Sequence, residues 1–179
     1  MSGGVSLGRM TWHITNIRDA KWYDEGPFGV SGNFQHDERF DEFGFNYAVV
    51  WPGQPVAMYH RETNQEGFLV VAGECLAIVE GEEHPMKQWD YFHCPADTDH
   101  IVIGAGDGPA FLIAVGGRTG EHEIVYPVDP TALSHKAGVE RETTKPPEAY
   151  APFPDAAPTP FSEAYLPKVS PPKAPKSSR

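Results

Sequence analysis

The stretch PGQPVAMYHRETNQEGFLVVAG, residues 52–73, contains the features from which the fold of this chain can be predicted. A turn-forming Pro-Gly pair opens it, and a short apolar run bounded by glycines closes it. Working outward, similar runs of four to eight residues recur between Gly44 and Val115, separated by turns that contain glycine or proline. This spacing of about eight short strands in roughly 75 positions, without a helical period, predicts an antiparallel sandwich or barrel.

The charged residues of this stretch follow the alternation of a strand. His60, Glu62 and Glu66 are separated by even numbers of residues, so in extended chain their side chains point to one face. Glu66 shares that parity with Phe68 and Val70, and if those two point inward, Glu66 is inside as well. A buried carboxylate is costly unless a positive charge compensates it. No Lys or Arg stands close by at matching parity, and a bound metal ion would resolve the cost.

A second stretch, WDYFHCPADTDH at residues 89–100, ends one predicted strand at Pro95 and opens the next at His100. His100 has Val102 on its own face and can reach into the mouth of a barrel. His93 is two residues before Pro95 and is a candidate for proton transfer at the same site.

The two stretches resemble the paired motifs of the cupin superfamily. The first cupin motif reads Gly, a spacer, His-x-His, three or four residues, Glu, six residues and Gly. The second reads Gly-Asp, a spacer, Pro-x-Gly-x-x-His, a further spacer and Asn. The residues that fill the two motifs here are Gly53, His60, Glu62, Glu66, Gly73, Asp90, Pro95, Asp97 and His100. Glu62 replaces the second His of the pair, Asp97 replaces a Gly, and the final Asn has no counterpart.

The resemblance implies an all-β, cupin-type double-stranded β-helix, or jelly-roll, barrel with metal ligands His60, Glu66 and His100. Glu62 is then a fourth ligand or a neighbouring proton-transfer group. The ligand set is similar to that of 3-hydroxyanthranilate dioxygenases, which hold Fe(II) with two His and one Glu. Two imidazoles and one or two carboxylates suit a divalent transition metal. Fe(II) or Mn(II) is favoured, with Zn, Ni or Co as alternatives.

Side chains expected to line the pocket, on parity alone, are Tyr47, Trp51, Met58, Phe68 and Val102. The leading functional expectation is a metal-dependent enzyme of dioxygenase type that acts on a small organic molecule. A cupin isomerase or decarboxylase is an alternative. A non-catalytic cupin that binds a small ligand or a sugar is another, favoured by the irregular positions 62 and 97.

Composition divides the chain near residue 145. Residues 1–144 carry nine basic and 22 acidic residues, whereas residues 145–179 carry five basic and three acidic ones and ten of the 18 prolines. An acidic body argues against nucleic acid as a partner, because phosphates are bound by Lys and Arg. No apolar stretch approaches a membrane span and no signal peptide is recognised, so a cytoplasmic location is expected. Exposed sheet edges predict a homodimer.

The organisation expected from these patterns has four parts. Residues 1–43 form a segment that covers the barrel and includes a short strand at residues 11–16, and residues 44–118 form the barrel. Residues 119–144 form an extension with one short helix within residues 129–140, which Thr131 caps. Residues 145–179 form a proline-rich arm that is extended, since prolines at this density disfavour helix and central strand. Its aromatic residues are expected to pack on the barrel or on a neighbouring subunit.

Overall fold

The computed structural model of the chain describes residues 12–35 and 39–166. Within these ranges it contains twelve strands and two short α-helices. The strands are β1 (Trp22–Asp24), β2 (Val30–Asn33), β3 (Phe43–Val50), β4 (Arg61–Glu62), β5 (Glu66–Ala72), β6 (Glu74–Val79), β7 (Glu82–Lys87), β8 (Tyr91–Cys94), β9 (His100–Ala105), β10 (Ala110–Gly117), β11 (Ile124–Val125) and β12 (Ala157–Thr159). The helices are α1 (Pro130–Ser134) and α2 (Pro146–Ala149).

The strands form two main sheets that enclose one apolar interior. The larger sheet has the order β12-β1-β2-β3-β10-β5-β8, the smaller one has the order β7-β6-β9, and β4 pairs with β11. All of these pairs are antiparallel. Side chains from both sheets meet in one buried cluster: Val50, Phe68, Val70, Cys75, Ala77, Met86, Cys94, Val102, Ala110 and Leu112. The expected all-β jelly-roll barrel with a short C-terminal helix is confirmed.

Two glycines show why the motif turns have these residues. Gly73 joins β5 to β6 at φ +80°, and a Cβ there would lie 2.6 Å from the carbonyl oxygen of Pro109. Only glycine fits such a close approach of two backbones. Glu80 and Gly81 join β6 to β7 with φ of 50° and 79°, the pair of positive values that a tight two-residue hairpin turn requires.

The outer faces of both sheets are covered in part. On the larger sheet, Trp22, Tyr47 and Val49 form a buried cluster with Phe111, and Phe161 and Tyr165 of the proline-rich arm pack against it. On the smaller sheet, a buried cluster combines isoleucines of β6 and β9 with two alanines from α1 and the turn after it. Both faces of the central strands are therefore apolar, whereas β7 is exposed except at Met86, and for the central strands burial by itself does not tell which residues face the barrel interior.

Three local predictions differ from the structure. The predicted strand at residues 11–16 lies partly outside the described residues, and residues 12–16 are not in a strand. Trp12 and Ile14 are 88% and 91% exposed, because no sheet covers them. Helix α1 is capped by Asp129, whose side chain accepts a hydrogen bond from the Ala132 N–H, while the Thr131 hydroxyl donates to the Gly81 carbonyl.

The arm is also less extended than expected. Helix α2 begins with two prolines, which are tolerated in a first turn because its N–H groups have no helical partner. Strand β12 pairs with β1 at the edge of the larger sheet, where a proline costs no ladder hydrogen bond on the open side. The described part of the arm, residues 145–166, thus combines helix α2, edge strand β12, a 3-10 turn at Glu163–Tyr165 and aromatic packing on the barrel, and the rest of the arm lies outside the described residues.

Candidate metal centre

Backbone pairing brings His60 and His100 together. Their peptide groups exchange both hydrogen bonds, with His60 N to His100 O at 3.1 Å and His100 N to His60 O at 2.8 Å. The two imidazole rings lie 4.8 Å apart, measured between centroids. Glu66 begins β5 and pairs with Cys94 of β8, next to His100 on the barrel interior. We refer to His60, Glu66 and His100 as the triad.

Hydrogen bonds to main-chain carbonyls orient both imidazoles of the triad. His60 Nδ1 lies 2.7 Å from the Met58 carbonyl oxygen, and His100 Nδ1 lies 3.0 Å from that of Thr98. A carbonyl oxygen only accepts hydrogen bonds, so each Nδ1 carries a hydrogen. In the neutral ring, each Nε2 then presents a lone pair, which is the arrangement usual for metal-binding histidines.

The lone pairs of the triad converge on one point. Glu66 Oε2 lies 3.0 Å from His100 Nε2 and 3.6 Å from His60 Nε2, and the three ligand atoms are within 4.8 Å of one another. Glu66 Oε2 and His100 Nε2 are buried, and neither has a hydrogen-bond partner among the described residues. Two buried acceptors facing each other are unfavourable unless a cation lies between them. The donor set therefore fits a divalent metal ion.

Without a metal, the triad would hold protons. Burial lowers the pKa of His60, but the nearby carboxylates of Glu62 and Glu66 outweigh it and leave that pKa above its usual range. Burial also opposes the charged form of His100, yet contacts with Cys94 and Glu66 raise the pKa of His100. Burial raises the pKa of Glu66, and the two histidines more than reverse this shift. A metal ion would replace these protons as the counter-charge of Glu66.

The turn before His100 keeps the shape that the motif requires despite its departure from glycine. Asp97 has a φ of +60°, in the left-handed region that glycine, asparagine and aspartate adopt most readily. Its N–H donates to the Glu62 carbonyl at 2.8 Å, which ties this turn to β4. Replacement of the motif glycine by Asp97 is thus compatible with a formed site.

Glu62 lies beside the triad. Its Oε1 is 3.6 Å from His60 Nε2, and its Oε2 is 3.7 Å from Nδ1 of His122. Its side chain is 16% exposed and lines a cavity of about 330 Å³ that also reaches Glu66. We call this the triad cavity. Its other lining residues are Arg39, Gly44, Asn46, Gly116, Gly117, Arg118, Gly120 and His122.

Phe68 and Val102, which were expected to line the pocket, lie in the barrel interior, and neither lines the triad cavity. The Phe68 ring is 5.4 Å from the His100 ring, between centroids, and Val102 is fully buried in the barrel interior. Met58 holds His60 through its carbonyl, but its side chain lines a different cavity of about 360 Å³, next to Val139 and Phe153.

Three further predicted site residues lie away from the triad cavity. Tyr47 and Trp51 pack on the outer face of the larger sheet, where the Tyr47 hydroxyl donates to the Lys21 carbonyl. The two residues share one face of the sheet, as predicted, but that face is the outer one. His93 is exposed, because its neighbours Phe92 and Cys94 are the β8 residues that point inward. A catalytic role for His93 is therefore withdrawn.

Other residues of the cavity, and one beside the triad, were not predicted. His122, Arg39 and Arg118 lie in or next to irregular segments before β3 and after β10, where no periodicity reports the direction of a side chain. Tyr126, whose ring is 5.9 Å from that of His60, follows the two-residue strand β11. An arginine directly after the glycine pair that ends β10 is the one sequence feature that could have drawn attention to this loop.

Comparison with known proteins agrees with this fold. Residues 46–116 match the Cupin domain family. An RmlC-like cupin from Shewanella frigidimarina superposes with a TM-score of 0.53 at 18% identity, covering 62% of this chain and 95% of that one. The polyketide cyclase RemF from Streptomyces resistomycificus superposes with a TM-score of 0.52 at 12% identity, covering 63% of this chain and 82% of that one. A cupin-superfamily sugar phosphate isomerase from Silicibacter pomeroyi superposes with a TM-score of 0.48 at 25% identity, covering 57% of this chain and 71% of that one.

Residues 46–116 therefore match a cupin domain, and the predicted resemblance to the cupin superfamily is confirmed for this part of the chain. The likenesses to the Shewanella and Streptomyces proteins, both with TM-scores above 0.5, show the fold. No curated protein sequence matches the chain significantly. Among the described residues, no helix has the length and apolar character needed to cross a membrane.

Proposed function

We propose that this chain is a metal-dependent enzyme of dioxygenase type that acts on a small oxygen-bearing organic molecule. The observation that carries the proposal is the convergence of two oriented imidazole Nε2 atoms and the buried Glu66 Oε2, beside an open cavity. Two His and one carboxylate that leave ligand positions open are typical of non-haem Fe(II) oxygen chemistry.

Each residue of the site has a part in this proposal. The triad would hold Fe(II) or Mn(II), and such an ion, when bound, supplies a Lewis acid with positions for oxygen and substrate. Phe68 and Phe92 pack against the His100 ring and keep water from that side of the triad. Glu62 faces the triad cavity and is placed to hold or release a substrate proton at its Oε2.

A second candidate is metal-assisted isomerisation or decarboxylation, which needs proton transfer but no oxidant. The contact between Glu62 and His122 favours it, because a carboxylate 3.7 Å from an imidazole at the cavity wall suits an acid–base pair. Oxygen consumption separates the two candidates, since only the first uses O₂.

The proposal is tested by metal loading. Metal-free protein is titrated anaerobically with Fe(II) and with Mn(II), and the bound metal is counted by elemental analysis. Oxygen uptake by the loaded protein is then measured with a panel of small phenols and hydroxy acids. We expect one ion per chain, and loss of that ion in Glu66→Gln.

Glu83→Gln is a matched control. It breaks another Glu–His pair, between Glu83 Oε1 and His135 Nε2 at 2.7 Å, on β7 and away from the triad. We expect its metal content to equal that of the wild type. Wild-type protein that takes up no transition metal would overturn the proposal. Stoichiometric metal without oxygen uptake would favour the second candidate.

A further inference from the structure

Two arginines line the triad cavity. Arg118 is half-buried, and its Nη1 donates to Gln35 Oε1 at 2.5 Å and to the Phe40 carbonyl at 3.0 Å. Its guanidinium lies across Gly44, where an added Cβ would be 3.0 Å from Nη2. Neutral acceptors and a glycine thus fix this side chain at the cavity without neutralising its charge. Arg39 is exposed and lines the same cavity.

Neither guanidinium forms an ion pair within 4 Å in the part of the chain that the structure describes. Arg18 and Arg61, by contrast, pair with Glu163 and Asp99 at 2.9 Å. Burial and the neighbouring charge of Arg39 both lower the pKa of Arg118, so the two cations repel each other. Two close, unpaired arginines in a chain of net charge −11 are the arrangement expected where an anion binds.

The cavity has room for such an anion because glycines form part of its wall. Gly44 and Gly116 face each other across β3 and β10, and Gly117 and Gly120 continue the wall toward Arg118. A Cβ on Gly116 would lie 3.4 Å from Glu66 Oε1. The absence of side chains at these positions leaves about 330 Å³, at the small end of ligand pockets.

We propose that Arg39 and Arg118 bind the oxyanion of a small substrate, a carboxylate or a phosphate, whose other end faces the triad. Guanidinium groups bind both oxyanions by charge-assisted, often bidentate, hydrogen bonds. The placement of the other end of the substrate at the triad rests on the proposed function, whereas the oxyanion subsite rests on the two arginines alone. This assigns a substrate class, small organic acids or phosphate esters.

Charge couples the subsite to the metal site. The cavity is lined by the two arginines and by Glu62 and Glu66, which are not ion-paired with them, and a divalent ion on the triad would add two positive charges. Oxyanion binding is therefore expected to be tighter in metal-loaded protein, and metal binding tighter with the oxyanion present, by the same factor.

The test uses inorganic phosphate and malonate as probes, titrated calorimetrically into metal-free and Mn(II)-loaded protein. We expect the wild type to bind at least one probe, and Arg118→Gln and Arg39→Gln each to weaken that binding at least tenfold. Arg141→Gln is the matched control, because Arg141 is exposed and lines the other cavity. A preference for malonate identifies a carboxylate substrate, and a preference for phosphate identifies a phosphate ester.

Two results would overturn the subsite: no binding of either probe by the wild type, or equal weakening in Arg39→Gln and Arg141→Gln. If Arg118→Gln unfolds because it loses Gln35 and Phe40, the exposed Arg39 still decides the question. Arginine-dependent binding in a protein that takes up no metal supports the subsite and refutes the metal-dependent function. Metal uptake together with probe binding that does not depend on the arginines refutes the subsite and leaves the metal-dependent function supported.

Discussion

Replacement of Tyr150 by Phe tests whether the proline-rich arm orients a triad histidine. The Tyr150 hydroxyl accepts a hydrogen bond from the Met58 N–H at 3.0 Å, and the Met58 carbonyl accepts one from His60 Nδ1 at 2.7 Å. Tyr150→Phe keeps the ring and its packing against Phe28, and removes the hydrogen bond to Met58.

The expected magnitude follows from burial. Met58 is only 3% exposed, so its N–H would be left without a partner, at a cost of about 1–3 kcal/mol in the free energy of unfolding. For a chain of this size that corresponds to a melting temperature lower by ~2–4 °C per kcal/mol. Loss of an outer partner of a metal ligand typically weakens metal binding by about 10–100-fold. Tyr150 acts one hydrogen bond further out, so we expect a loss of about tenfold or less.

The assay is differential scanning calorimetry of the metal-free and Mn(II)-loaded forms, with the metal dissociation constant measured by competition with a chelator. A purely structural role would lower both melting temperatures equally, whereas an orienting role also reduces the difference between them. Tyr165→Phe is the control, because Tyr165 lies on the same arm but packs on Trp22 and Trp51. Wild-type metal affinity in Tyr150→Phe, or an equal loss in Tyr165→Phe, would refute the reasoning.

Three further predictions concern the site and the arm. Metal affinity should fall as the pH falls, because the raised pKa values of His60 and His100 mean that protons compete with the metal for the two Nε2 atoms. Calorimetry in buffers of different ionisation enthalpy should detect proton release on metal binding. A metal affinity that does not change with pH would contradict this prediction. Glu62→Gln should retain the metal but lose activity by about 10²–10⁴-fold, measured as turnover with metal content as control, if Glu62 transfers a proton. A chain ending at Arg141 should melt at lower temperature, because it lacks the rings that pack on Phe28 and the larger sheet. We also propose a homodimer, and light scattering on both chains would show whether the arm holds it together: an unchanged mass would rule out that role.

Glu66 and His100 were predictable because their strands are regular in sequence, whereas His60 lies in an isolated bridge outside the named strands and was found by its position in the cupin motif. Even spacing placed Glu66 on the face of Phe68, and the turn at Pro95 placed His100 at the start of a strand. Strand alternation has a period of two, so one inward residue determines all the others of that strand. Prediction of the fold succeeded for the same reason, since short alternating runs between glycine turns leave few other architectures.

The failures arise where alternation is insufficient. Tyr47 and Trp51 were assigned to the wrong face because the outer face of β3 is as apolar as the inner one, being covered by Trp22 and the arm. His93 failed because β8 is short and its inward residues are determined by pairing with β5, not by its own pattern. His122 and the two cavity arginines lie in or beside loops, whose directions depend on tertiary contacts alone.

The triad also links the metal site to the stability of the barrel. Glu66 belongs to β5 of the larger sheet, His100 to β9 of the smaller sheet, and His60 is joined to β9 by its backbone hydrogen bonds. A metal ion held by all three would therefore bridge the two sheets at the barrel mouth. Because the unfolded chain does not hold these groups together, binding stabilises the folded state, by about 2.7 kcal/mol at a metal concentration 100 times the dissociation constant. This is why the gain in melting temperature on metal loading reports the geometry of the triad, and why a hydroxyl on the arm can be detected through it.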